Sequence, residues 1–232
     1  MTFAILGFDN ENSQIGLAIA TYSLAVGSTC PLLVSDKYAI TSQASTNPLI
    51  GKEIAKKILE GDPKLAMNET LNKDKYSDYR QVAILSNEGD KYIHTGSKTK
   101  DFKGSIISNN SIAIGNFLYN EEVLISMTKS FEENSDKPLG KRLINSLESG
   151  KKAGGQMGTD GQYLPERSSC IMVGSKNEIF PIDIRIDFSI NPIKELSLAF
   201  EEYNKLHNYY LSRSENPSIL PSQDEWIKNL KQ

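Results

Sequence analysis

Apolar residues along the chain alternate between strand-like runs and helical stripes. Ile15–Thr21 is nearly continuous apolar sequence, which is typical of a strand buried on both faces. Asn47-Pro48, Asp62-Pro63 and Asn191-Pro192 each place a capping side chain before a proline, so each predicts a helix start. The predicted strands cover residues 2–8, 15–21, 30–34, 38–43, 81–85, 91–95, 105–108, 111–115, 168–174 and 182–187. The predicted helices start at residues 48, 63, 121, 138 and 192.

Strands and helices follow one another in blocks rather than in alternation. The order is strands, two helices, strands, two helices, strands and one helix. This order argues against a doubly wound sheet and favours an α+β protein with two antiparallel sheets covered by helix pairs. We expect a single domain over residues 1–213 and a polar tail over residues 214–232, with a short helix around Asp224–Ile227.

Composition narrows the functional classes. The chain has 232 residues and a net charge of −3, and its basic residues are dispersed, which argues against a nucleic-acid partner. No apolar run approaches the roughly 20 residues of a membrane span, and no basic segment precedes the first apolar run. Cys30 and Cys170 suit a reducing compartment, and no Cys/His cluster has zinc spacing. We expect a cytoplasmic protein without a metal or cofactor and without a membrane partner.

The candidate chemistry begins at Thr2. Aminopeptidases readily remove an initiator methionine before a small residue, and removal of Met1 would leave a threonine with a free α-amine. Such a threonine can act as a nucleophile with its own amine as the base, since the amine pKa of about 7.7–8.0 lies near neutrality. The alternative is an N-terminal edge strand that starts with a small residue of no catalytic meaning.

Several separated blocks together resemble the bacterial domain-of-unknown-function family 1028, which is grouped with the Ntn (N-terminal nucleophile) hydrolase-like fold. The resemblance spans about residues 2–210. The blocks that carry it are Thr2–Ile5 with Asp9, Gly16–Ala20, Leu24–Gly27, Thr41–Ala44, Asn47-Pro48 with Gly51, His94–Gly96, Gly115–Leu118, Ala153–Gly155 and Asp183–Asp187.

The resemblance implies a four-layer αββα sandwich and strengthens the nucleophile hypothesis for Thr2. It supplies no reaction, since the function of the family is open. The chain also departs from the family after the paired glycines, where it reads Gln156–Gln162, and at Arg167-Ser168-Ser169. These departures put a substrate role of that loop in doubt.

Two further residues are candidates for the catalytic machinery. Asn116 follows a strand, and its side-chain amide could stabilise a tetrahedral oxyanion; a turn-forming Gly-Asn pair is the alternative. Asp9 ends the first predicted strand and could orient a base or bind a substrate amine. Its alternative is a turn residue in Asp9–Asn12.

Five residues are candidates for substrate binding. Ser42 and Gln43 point to opposite faces of one predicted strand, so one of them should face the space between the sheets. His94 could be a general acid, or a strand-end histidine with structural hydrogen bonds. Gly154 and Gly155 belong to a glycine-rich connection that could wrap an anion or form a mobile flap. Cys30 is interpreted as a small core residue.

These observations favour an Ntn-type hydrolase that cleaves a small amide or related C–N bond of an unidentified small-molecule substrate. The alternative is a non-catalytic protein that keeps the fold and binds a small ligand or serves in an assembly. The aromatic residues of the last long helix and Trp226 predict a homo-oligomer, most simply a dimer.

Overall fold

The computed structural model describes residues 1–34, 37–176 and 181–230. Short 3₁₀ turns lie at Val26–Ser28 and Ser77–Tyr79. The strands are β1 Thr2–Asp9, β2 Gln14–Thr21, β3 Pro31–Val34, β4 Tyr38–Ala44, β5 Arg80–Ser86, β6 Lys91–Thr95, β7 Gly104–Ile107, β8 Ser111–Asn116, β9 Gln156–Met157, β10 Tyr163–Leu164, β11 Ser168–Ser175 and β12 Ile182–Ile186. The helices are α1 Pro48–Ile58, α2 Pro63–Lys73, α3 Glu122–Glu133, α4 Leu139–Lys152, α5 Pro192–Glu215 and α6 Gln223–Asn229.

Two antiparallel sheets form the centre of the molecule, which confirms the α+β class. The larger sheet has the strand order β12-β11-β2-β1-β8-β7, and the smaller has the order β3-β4-β5-β6. β1 therefore lies at the centre of the larger sheet, paired with β2 on one side and β8 on the other. The register places Thr2 opposite Thr21 of β2 and opposite Asn116 of β8.

Three apolar clusters hold the layers together. Side chains on one face of the larger sheet, such as Phe3, pack against α3, α4 and α5. Side chains on its other face, such as Leu6, meet the smaller sheet in an inter-sheet core. The far face of the smaller sheet, represented by Ile40, packs against Ile54 of α1 and Leu71 of α2. The strands alternate between these faces because successive side chains point to opposite sides of a sheet.

The predicted helix starts are confirmed to within about one residue, a smaller error than is usual at helix ends. The Asn47 side chain accepts from Leu49 N at 3.1 Å and the Asp62 side chain accepts from Leu65 N at 2.8 Å, as the capping argument requires. The expected side-chain cap by Asn191 is wrong, because that residue makes no capping hydrogen bond. The short pair β9–β10 carries no apolar alternation, so the sequence pattern missed it.

The C-terminal segment folds back on the helix before it. Helix α6 confirms the predicted short helix, and the Trp226 ring lies 5.4 Å from that of Tyr209, whose hydroxyl donates to Pro221 O at 3.3 Å. These aromatic residues therefore find partners within the chain, and the homo-oligomer stays a prediction. Residues 231 and 232 of the predicted tail lie outside the described residues. Of the helices in the described part, none has the length and apolar character needed to cross a membrane.

Candidate active site

Thr2 lies at one end of the inter-sheet layer on a central strand. It shares a face of β1 with Ala4, Leu6 and Phe8, all of which belong to the inter-sheet core. The residue is 4% exposed. The structure therefore does not support the alternative of an edge strand, since β1 has a neighbour on both sides.

The Thr2 hydroxyl is paired with a second hydroxyl. Thr2 Oγ1 lies 3.2 Å from Thr21 Oγ1. The Thr21 hydroxyl also contacts the Met1 carbonyl oxygen, and Ser23 N donates to Thr21 Oγ1 at 3.3 Å. Because a hydroxyl has one proton and the Met1 carbonyl can only accept, Thr21 donates to Met1 and accepts from Thr2. Thr21 thus supplies a donor to a carbonyl oxygen next to the Thr2 hydroxyl.

A cavity of about 280 Å³ opens beside these hydroxyls. Val26 and Cys30 are buried at its floor, whereas Ser23, Leu24 and Thr46 are exposed at its rim. The residues that line it are Met1, Thr2, Thr21, Ser23, Leu24, Val26, Thr29, Cys30, Ala44, Thr46 and Pro48. The site thus combines residues from β1, β2, the loop after β2 and the segment between β4 and α1.

Burial shifts both titratable groups of this cavity toward their neutral forms. It lowers the pKa of the Met1 amine to about 6, and the nearby Cys30 thiol opposes that shift. Burial also raises the pKa of the Cys30 thiol, although hydrogen bonds from Thr46 and Thr29 partly offset the rise. Cys30 is thus part of the inter-sheet core, as interpreted from the sequence, and also part of the cavity wall.

Behind Thr2, a buried amide network bridges the two sheets. Gln81 Oε1 accepts from Gln43 Nε2 at 2.9 Å and from Asn116 Nδ2 at 3.0 Å. Gln81 Nε2 donates to Gly115 O at 2.9 Å, and Gln43 Oε1 accepts from the Thr41 hydroxyl at 3.2 Å. The carbonyl acceptor at Gly115 fixes which end of the Gln81 amide is the nitrogen, and this in turn fixes the orientation of Gln43 and Asn116.

Asn116 is beside Thr2 but turned away from an oxyanion role. It is fully buried and is not part of the described cavity wall, and one N–H of its amide is engaged by Gln81. Its Oδ1 is buried and has no hydrogen-bond partner among the residues that the structure describes. The side chain therefore offers an unused acceptor, rather than a free donor, on the face that carries the Thr2 side chain.

Asp9 lies at the opposite end of β1, roughly 23 Å from Thr2 at about 3.3 Å per residue. Its carboxylate accepts from Glu11 N at 3.0 Å, Asn12 N at 3.3 Å and Asn12 Nδ2 at 2.9 Å. These bonds shape the turn into β2. The structure thus does not bring Asp9 together with Thr2, and its contacts are those of the turn alternative.

Of the two neighbouring strand residues, Gln43 faces the inter-sheet space and Ser42 does not. Ser42 lies on the face that packs against α1, where a Cβ added at Gly51 would be 3.7 Å from Ser42 Cβ. His94 lies on that same outer face, opposite Val82, and its Nε2 is 3.0 Å from Ser77 O. The structure thus separates Ser42 and His94 from the Thr2 cavity, and His94 has the contact of the structural alternative.

Gly154 and Gly155 make the turn that follows α4. Their φ angles are 123° and 54°, a region that favours glycine. A Cβ at Gly155 would also lie 2.8 Å from Glu166 Oε1, a carboxylate oxygen that is buried. The turn leads into Gln156. The Oε1 atom of Gln156 accepts a hydrogen bond at 3.3 Å from the backbone N of Tyr22, the residue directly after Thr21. The glycines therefore support the rim of the site and are not part of the described cavity wall.

Sequence reasoning missed Thr21 and Gln81. Thr21 was within reach, because a β1–β2 hairpin with a turn over residues 10–13 pairs residue 2 with residue 21. Gln81 begins a predicted strand, but its role depends on how β5 lies over β8 in the other sheet. That packing has no signal in the local pattern.

The described architecture is an α+β protein in which two antiparallel sheets lie between helices, with a hydroxyl pair at one end of the inter-sheet layer. The chain belongs to DUF1028, a family of unknown function, which residues 2–196 match. The crystal structure of protein SPO2555 from Silicibacter pomeroyi, also assigned to DUF1028, is similar, with a TM-score of 0.79 and 30% sequence identity. The match covers 88% of this chain and 86% of that one. No curated protein matches the sequence.

Proposed function

We propose that this protein is a hydrolase of the N-terminal nucleophile type, with a four-layer αββα fold of that class, and that Thr2 attacks a small amide or related C–N bond. The observation that carries the proposal is the Thr2–Thr21 hydroxyl pair in the wall of a cavity, at the end of a central strand. Nucleophilic catalysis needs an activated hydroxyl, a base within reach and a donor for the oxyanion.

The base in this proposal is the α-amine of Thr2, which requires removal of Met1. Burial already lowers the pKa of the Met1 amine at this place. The same burial would lower the pKa of a free Thr2 amine from its ordinary range near 8. A larger fraction of that amine is then neutral at pH 7, and a neutral amine can accept the hydroxyl proton.

The reaction has two steps. In the first, Thr2 Oγ1 attacks the acyl carbon and its proton passes to the α-amine; the C–N bond then breaks, and the departing amine takes that proton. In the second, water attacks the Thr2 ester and releases the acid. Thr21 supplies the oxyanion donor, because its hydroxyl already donates to the carbonyl of Met1, which removal of that residue would free.

Asn116 acts as a positioning residue in this account. Its unpartnered Oδ1 lies on the strand position opposite Thr2, so it is placed to accept from the free Thr2 amine. Gln81 holds the Asn116 amide in that orientation through Nδ2. The contacts around Asn116 thus favour an acceptor for the amine over a donor to the oxyanion.

The test is a matched pair of alanine variants on one strand. With p-nitrophenyl butyrate as the probe and an N-terminus at residue 2 verified by intact mass, Thr2→Ala should reduce turnover by about 10⁴-fold or more, since it deletes the nucleophile. Thr2→Ser should keep measurable turnover because it retains hydroxyl and amine. Asp9→Ala, at the far end of β1, should leave turnover unchanged.

Wild-type turnover in Thr2→Ala would overturn the proposal. Absence of turnover in the wild-type protein would instead favour the non-catalytic alternative, a ligand-binding or assembly protein with this fold. Equal losses in Thr2→Ala and Asp9→Ala would also count against it, because they would report a general effect on the fold.

A further inference from the structure

The described wall of the Thr2 cavity is formed by uncharged side chains. Among the described residues that line it, none carries an Asp, Glu, Lys, Arg or His side chain. A substrate carboxylate would therefore meet no cationic side chain among the described residues of this wall, and a substrate ammonium would meet no carboxylate side chain. Removal of a charge from water without a partner is costly, so the wall disfavours charged acyl groups.

The pKa of the Met1 amine shows how this cavity affects a positive charge. The shift of its pKa to about 6 follows first from burial, so a positive charge placed in the cavity is destabilised. Its Cys30 neighbour opposes the shift only as a thiolate, and the thiol itself is held toward its neutral form by burial. A substrate ammonium that entered beside Thr2 would experience the same loss of hydration.

The wall has an apolar side and a hydroxyl side. Leu24, Val26 and Pro48 supply the apolar contacts, whereas the hydroxyls of Ser23, Thr29 and Thr46 can donate or accept hydrogen bonds. The volume of about 280 Å³ lies just below the range of about 300–1,000 Å³ that is typical of ligand pockets. These features suit a short acyl chain with a neutral polar end.

We propose that the Thr2 cavity accepts a small uncharged acyl group whose far end carries a neutral hydrogen-bonding group, and that it discriminates against acyl groups bearing a carboxylate or an ammonium. This inference rests on the proposed function, because it assigns the cavity to the acyl part of the substrate.

Three amides of matched chain length test the inference as competitive inhibitors of p-nitrophenyl butyrate hydrolysis by the mature protein. Succinamide is neutral, succinamate carries an anion at the same position, and 4-aminobutyramide carries a cation. The inhibition constant of succinamide should be lower than those of both charged compounds by about tenfold or more, in line with the cost of an unpaired charge. An equal or lower constant for either charged compound, or inhibition by none of the three, would overturn the inference.

A designed rim charge gives a second readout. Ser23→Lys places an ammonium at the exposed rim and should lower the inhibition constant of succinamate several-fold relative to succinamide. Ser28→Lys is the control, since Ser28 is exposed on the neighbouring turn and lies outside the described Thr2 cavity wall. An equal change in the succinamate inhibition constant in the two variants would contradict the assignment of Ser23 to the cavity wall. Hydrolysis that does not depend on Thr2 would instead defeat the proposed function, so the two failures are distinguishable.

Discussion

The two ends of the inter-sheet layer differ in how their polar groups are satisfied. At the Thr2 end, hydrogen bonds join residues that are far apart in sequence, with separations of 38 for Gln43–Gln81 and 35 for Gln81–Asn116. At the Asp9 end, the carboxylate accepts hydrogen bonds, among the described residues, from positions two or three residues away. Local bonds of the second kind shape a turn, whereas the Gln81–Asn116 bond holds strands of the two sheets in a fixed relation.

This difference shows that the buried polar side chains of the inter-sheet layer are concentrated at the Thr2 end. The middle of the layer is apolar, with Leu6, Leu17 and Leu85 among its members. A buried amide network adds no obvious advantage over such packing, because its net contribution to stability is small and an unsatisfied member is expensive. Its position beside Thr2 is consistent with a role in fixing the geometry of a site.

The largest expected effect is on stability, and it comes from comparing the same substitution, Gln→Leu, at each end of the inter-sheet layer. Gln81→Leu leaves the donors of Gln43 and Asn116 and the carbonyl of Gly115 without their partner, so it should lower the free energy of unfolding by about 2–4 kcal/mol. Gln14→Leu, at the half-buried far end of β2, should change it by less than about 1 kcal/mol. Urea denaturation measures both.

Equal losses for the two leucine variants would remove the distinction between the two ends. A loss confined to Gln14→Leu would reverse it.

A smaller effect is expected in the pH dependence of activity. The rate should rise with pH as the Thr2 ammonium loses its proton, because only the neutral amine is a base. If Asn116 Oδ1 accepts from the ammonium, it stabilises the charged form and raises the amine pKa. Asn116→Leu should therefore move the rising limb of kcat to lower pH, by up to about one pH unit. An unmoved limb in a folded variant would show that Asn116 does not contact the amine.

Much of the fold follows from local patterns in the sequence. Pro48 and Pro63 mark helix starts because proline fits the first turn, and the apolar run of β2 marks a strand buried on both faces. The short, partly buried pair β9–β10 has no such pattern, and Asn191 has the composition of a cap without its hydrogen bond. Turn chemistry therefore identified where helices begin better than it identified which side chain satisfies their ends.

The candidate site was only partly predictable. Thr2 and Asn116 come together because a β1–β8 ladder aligns them, and Gln43 of the other sheet is linked to Asn116 through Gln81. Ser42 and His94 lie on the outer face of the smaller sheet, and a choice of face requires knowledge of what covers each side. Gln81 was missed because its partners belong to strands distant in sequence, which only the packing of the two sheets brings together.

The most direct test of the central claim locates the acyl group on the protein. The mature protein is mixed with p-nitrophenyl butyrate and quenched in acid, which keeps the α-amine protonated, and its peptides are mapped by mass spectrometry. The account predicts a single butyryl group on the hydroxyl of Thr2, in a peptide that begins with Thr2, and no such group in Thr2→Ala. A butyryl group on Cys30 or on a lysine, with Thr2 unmodified, would contradict it.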